Sequence, residues 1–175
     1  MRFAARRPAA PLDAWIEQLW MYEAAGSGAP AARWCERVLP TGALQLIVDL
    51  SPGGPCAAIP GGALVVGVHA GALLVEFESR MVLAGVQFRP GGAAPFFDLP
   101  LGELADTEAP LECLWGRLAH ELRERLHEAR HDDAGSFAQI EQVLWCRLRC
   151  AARQREPQLH PAVGAALALW PILTR

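Results

Sequence analysis

Apolar and polar positions along this chain follow two different periods. In residues 43–50, Leu44, Leu46, Val48 and Leu50 share one face, which predicts a strand with one buried side. Residues 72–78 alternate in the same way, with Leu73, Val75 and Phe77 set against Leu74, Glu76 and Glu78. Residues 63–68 are a continuous apolar run. Residues 80–88 are apolar on nearly both faces, as a strand central in its sheet should be. Residues 33–39 predict a further short strand that ends at Pro40. Gly- and Pro-rich segments separate these runs, most plainly over 51–62. Residues 11–20 suit a short helix through Leu12, Trp15, Ile16 and Leu19, running into a strand at Met21 and Tyr22.

The second half has a helical period. Leu111, Leu114, Trp115, Leu118, Leu122 and Leu126 line one face of a single predicted helix. Asp106 or Thr107 could cap its start, and His131-Asp132-Asp133 ends it. A second helix is expected from Ser136, where Ser136 and Gln139 have the form of a capping box. Its apolar face is Phe137, Ile140, Leu144, Leu148 and Ala151. A third opens at His160-Pro161, with Val163, Ala166, Leu167 and Trp170 as its stripe. Short strands followed by helices predict an α+β fold, an antiparallel β-barrel or sandwich followed by two or three α-helices.

Composition narrows the setting. The chain has 175 residues, 52% hydrophobic and 20% charged, enough for one domain with a proper core. That domain is expected over 1–155, with 156–175 as a linker and the first helix of another. The longest apolar stretch, 63–74, is interrupted by Gly67, His69 and Gly71 and falls short of the roughly 18 residues of a membrane span. The arginine-bearing start has no apolar core of a secretory signal, so a cytoplasmic location is expected. A net charge of −3 argues against the whole chain being an electrostatic nucleic-acid binder. All 16 basic residues are arginine, with no lysine and no asparagine, a bias that fits a GC-rich genome and lowers the weight of any arginine cluster. Five cysteines, at 35, 56, 113, 146 and 150, form no CxxC pair and no disulfide framework. Cys146 and Cys150, one helical turn apart, are expected to be small buried apolar residues.

Few motifs carry chemistry. His127-Glu128-Ala129-Arg130-His131 matches HExxH, in which two imidazoles hold zinc and the glutamate is the general base. His120, seven residues earlier on a similar face, would be a third ligand for a metal-dependent hydrolase. Against this, the motif stands at a helix end beside Asp132-Asp133, where an exposed charged face is the plainer reading. Arg89, before Pro90-Gly91-Gly92, could clamp a ligand carboxylate or phosphate at the barrel rim. Equally, it could tie the turn by bonding backbone carbonyls or an acidic partner such as Asp98. Trp20, Trp34 and Phe77 could line a cavity for a small aromatic or apolar ligand, or simply pack the core. The arginines of 147–155 fit a favourable interaction with a helix C-terminus. No serine stands in a nucleophile motif, no catalytic residue is assigned and no cofactor is called for.

Taken in order, the landmarks Pro11-Leu12, Trp20, Arg37-Val38-Leu39-Pro40-Thr41-Gly42, Val66-Gly67-Val68, Gly85 to Gly92, Asp98 to Asp106, and Leu114-Trp115-Gly116 form a pattern. It resembles the N-terminal sensor domain of certain AraC-family bacterial transcriptional regulators. The resemblance implies a cupin-like barrel with helices after it, which binds a small-molecule effector or mediates homodimerisation. It also implies a C-terminal domain with two helix-turn-helix units. Residues 160–169 resemble its first helix. The recognition helices would lie past residue 175, so DNA would be bound only through that absent domain. One departure is Thr41, where the resembled proteins usually have aspartate.

Overall fold

A computed structural model of the chain describes residues 1–24, 33–52, 59–78 and 80–154. It is an α+β fold of eight antiparallel strands followed by three helices. The strands are β1 (Arg2–Arg6), β2 (Ile16–Glu23), β3 (Arg33–Val38), β4 (Gln45–Asp49), β5 (Ala63–Val66), β6 (Leu73–Glu78), β7 (Val82–Phe88) and β8 (Glu108–Pro110). Six form one sheet in the order β1-β2-β7-β4-β5-β8, while β3 and β6 pair into a separate two-stranded ribbon. The arrangement is a sandwich rather than a closed barrel. The helices are α1 (Leu111–Trp115), α2 (Arg117–Ala129) and α3 (Asp133–Gln154). No helix among the described residues is long and apolar enough to cross a membrane.

The alternation along each strand divides the sheet between two layers. Leu19 and Met21 of β2, Leu46 and Val48 of β4, Val65 of β5, and Ala84 and Val86 of β7 face the helices in the main core. They meet Leu111, Trp115, Leu122, Leu126, Phe137 and Ile140 there. A smaller cluster of Ala24, Ile59, Leu64, Met81 and Leu83 lies on the other face, under the ribbon. As expected of a central strand, β7 is paired on both sides, with β2 and with β4.

Five expectations need correction. Residues 12–14 form only one tight helical turn, and the strand already begins at Ile16, so the helix expected over 11–20 is absent. The single helix through Leu111 and Leu126 is two, because Gly116 adopts φ +55°, ψ −131°, a conformation that L side chains rarely take. Asp106 and Thr107 do not cap it. Asp106 instead accepts a bond from the Ala70 amide at 2.9 Å. The last helix starts at Asp133 rather than at Ser136. Asp132 accepts from the Ala134 amide at 3.0 Å, and the buried Ser136 hydroxyl donates to the Ala129 carbonyl, locking α3 to the end of α2. Cys35, Cys113, Cys146 and Cys150 are all exposed and free, not buried. The proposed helix over 160–170 lies outside the described residues.

One carbonyl ties the helices to the loop after β7. The Phe96 oxygen accepts from Trp115 Nε1 at 3.0 Å and from Arg147 Nε and Nη2 at 3.1 and 2.9 Å. Arg147 also reaches Asp98 at 2.9 Å and lies 5.6 Å from the Trp115 ring centroid. It is thus an inward staple rather than a partner of the helix C-terminus. Arg147→Met and Trp115→Phe should each destabilise the fold by about 1 kcal/mol or more, since each leaves the carbonyl a partner. The double variant should cost about 1 kcal/mol beyond their sum, because the carbonyl is then orphaned. Urea denaturation of the four proteins measures the coupling, and strict additivity would refute the shared acceptor.

Candidate functional site

A groove with a volume of about 760 Å³ lies between the sheet and the ribbon. Its floor is built from three rows of side chains set by strand register. The first row runs Gln18, Gln87, Gln45, Val66 and Glu108 across β2, β7, β4, β5 and β8. The second runs Trp20, Gly85, Ile47 and Leu64. The third is Phe3, Tyr22 and Leu83. The roof is the inward face of the ribbon, where Trp34 stands opposite Phe77, Glu36 opposite Val75, and Val38 opposite Leu73.

Space for this floor depends on one glycine. A Cβ at Gly85 would run into the Trp20 indole, so the missing side chain lets the indole lie across β7. The Trp20 ring also stacks on Phe3, with centroids 6.5 Å apart. On the roof side, Trp34 stacks on Phe77 at 5.9 Å, and Tyr22 meets Phe77 at 5.7 Å with a tilt of 57°. The Trp34 indole donates to Glu36 at 2.9 Å. Burial pushes the Tyr22 phenol above its usual pKa, and the charge of Glu36 pushes it the same way.

Polar groups are few. The Gln18 amide donates to Gln87 at 3.0 Å, half-buried in the floor. His69 lines the groove near Gly67, with Nδ1 3.8 Å from Asp106, and its buried Nε2 has no partner among the described residues. Thr41, the departure from the resembled pattern, stands on the wall.

Two of the residues expected at a ligand site, Trp20 and Phe77, line the groove, and Trp34 stacks on Phe77 from the neighbouring strand without lining it. Arg89 does not line it. Its Nε donates to the Asp13 carbonyl at 3.0 Å and Nη1 pairs with Glu17 at 3.1 Å, so it ties the turn after β7 to the start of β2. Sequence reasoning missed Gln18, Gln45 and Gln87, which fall on strand faces that read as solvent-exposed. The signal was there: in 45–49 the non-core face alternates Gln45 with Ile47, and an apolar residue on a supposedly wet face marks partial cover.

The HExxH residues form no metal centre, and no group of three metal-ligating side chains occurs among the described residues. His127 Nδ1 is 3.2 Å from the Arg130 guanidinium, which also bonds the His127 carbonyl. His131 lies beyond the end of α2 and is exposed. His120 is turned toward Glu112 at 3.4 Å. The Arg130 guanidinium thus occupies the Nδ1 side of His127.

These features define an α+β domain whose sheet carries a helical core on one face and an aromatic groove on the other. The chain belongs to the family described as a domain of unknown function, DUF6597, whose model matches residues 5–110. The match ends where β8 ends, so it takes in nearly all of the groove and none of the helices. No curated protein and no solved structure matches the chain.

The Gly85–Trp20 contact is testable. Gly85→Ala should destabilise the protein by about 1–3 kcal/mol through overpacking. In a Trp20→Ala background the same substitution should cost a small fraction of that, read from thermal unfolding. Equal costs in both backgrounds would refute the contact.

Proposed function

We propose that this chain is the regulatory half, effector-sensing and/or dimerising, of an AraC-type transcriptional regulator, and that it catalyses no reaction. The groove of about 760 Å³ carries the reading, because it has the size and the apolar lining of a small-molecule site. The sequence landmarks shared with such regulators map onto parts that shape it. Gly85 makes room for Trp20 on the floor, and Pro40-Thr41 forms part of its wall. Subunits would pair through α3, whose outer face exposes Trp145. DNA would be contacted only by a further domain.

A ligand that binds the folded state adds about 2.7 kcal/mol at a hundredfold excess over its Kd, which corresponds to roughly 5–10 °C in Tm for a domain of this size. Naphthalene, a neutral aromatic probe, should therefore raise the unfolding temperature. Ile47→Trp, which fills the floor, should abolish the shift while leaving the circular dichroism spectrum intact. No shift in the parent protein would overturn the ligand-binding reading. The regulatory half is checked separately by reading the gene past codon 175. In-frame helix-turn-helix patterning is expected, and a stop there with no such sequence nearby would overturn it.

A further inference from the structure

Charge distribution in the groove narrows the kind of molecule it takes. The ionisable side chains lining it are Tyr22, Glu36, Glu76, Glu108 and His69, and the N-terminal residue Met1 lines it too. No arginine lines it, although arginine supplies every basic side chain of the protein. The arginine once expected to clamp an anion, Arg89, is held at the start of β2. Register sets Glu36 on the inward face of the ribbon, opposite Val75, and Glu108 on the groove face of the sheet edge, beside Val66. Among the described residues, the one hydrogen bond to the Glu36 carboxylate comes from Trp34 Nε1, and no arginine pairs with it.

The carboxylate meets the N–H edge of the Trp34 indole on an exposed part of the ribbon, and aromatic rings line the groove beside it. Trp34, Phe77 and Tyr22 are packed in series beside it, and Trp20 lies across the floor. Aromatic faces carry negative quadrupoles, so rings around a carboxylate favour a bulky, weakly hydrated cation. The same surroundings disfavour an anion, which would find no arginine, would face carboxylates, and would have His69 as the one lining side chain able to carry a positive charge. Beside the larger effect of burial, the Glu36 charge also pushes the Tyr22 phenol upward.

We infer that the groove binds an aromatic organic cation, such as a substituted ammonium, with its ring on the Trp20 side and its charge beside Glu36. This inference rests on the groove being a ligand site.

Three probes separate the possibilities. Benzyltrimethylammonium carries the charge, neopentylbenzene has the same shape without it, and phenylacetate is an anion of similar size. Affinities come from titrating the tryptophan fluorescence of the full chain. The cation should bind about tenfold more tightly than its neutral isostere. Phenylacetate should bind more weakly than either. Glu36→Gln, which keeps an acceptor for Trp34 on an exposed residue, should cut the cation-to-neutral ratio about fivefold. Glu108→Gln, at the far edge, should lower it less. If neopentylbenzene binds and the cation gains nothing, or if phenylacetate is preferred, the cation inference is wrong and the ligand site stands. If no probe binds, both are wrong.

Discussion

A strand that is apolar at nearly every position has to be covered on both sides, and β7 is such a strand. Its residues Ala84, Val86 and Phe88 are wholly buried against the helical layer, while Leu83 and Gly85 look the other way. The architecture follows from this double demand. Helices α1 to α3 and the turns around Phe96 and Leu104 fill one face completely. Among the described residues, the other face has only a two-stranded ribbon above it, which is too narrow to close over a six-stranded sheet. The space left between ribbon and sheet is the groove.

The filled face is held by polar groups as well as by packing. The Phe96 carbonyl takes N–H donors from both α1 and α3, so two helices refer their position to one atom of the loop after β7. Arg89, at the head of that loop, fastens it to the backbone before β2, and the Arg89 amide bonds the Trp15 carbonyl at 2.9 Å. The stretch from Gly85 to Gly92 therefore serves both layers: Gly85 admits an indole to the groove floor, and the Arg89 turn anchors the helical side. A compact motif of this kind marks where the two sides of a sheet are specified at once.

Elements that bury one face strongly were legible in the sequence. The run Leu44, Leu46, Val48, Leu50 was placed on one face, and all four are buried. The alternation in β6 and the central place of β7 were equally plain. Strands that bury little were not. In β1 only Ala4 is even half-buried and arginines stand at both ends, so its hydrogen bonds to β2, not its side chains, make it a strand. The three-residue β8 is too short to show a period. The break at Gly116 was hidden because the leucine stripe continues in phase through it, and one backbone conformation overrides the pattern. At the site, aromatic residues drew attention to Trp20 and Phe77. The glutamine row and Glu36 were invisible because their meaning comes from register between strands distant in sequence.

The separation of the ribbon from the sheet bears on how a bound molecule could act. A ligand shifts an equilibrium only by its different affinity for two arrangements, so a sensor needs a wall that can stand in more than one place. Most walls of the groove are fixed by ladders: β2, β7, β4 and β5 are hydrogen-bonded in succession. Among the described residues the ribbon shares no ladder with them. It rests on side-chain contacts such as Tyr22 with Phe77. Side-chain contacts slide at far lower cost than a register of backbone bonds. On the proposed reading, an occupant between Trp20 and Glu36 touches one wall of each kind. The floor strands carry the reading onward, because Leu19 and Met21 alternate with Gln18, Trp20 and Tyr22 along β2, and their opposite face packs on the helices. Floor and helices thus share a backbone, and on the proposed reading the ribbon is the part whose position a ligand would select.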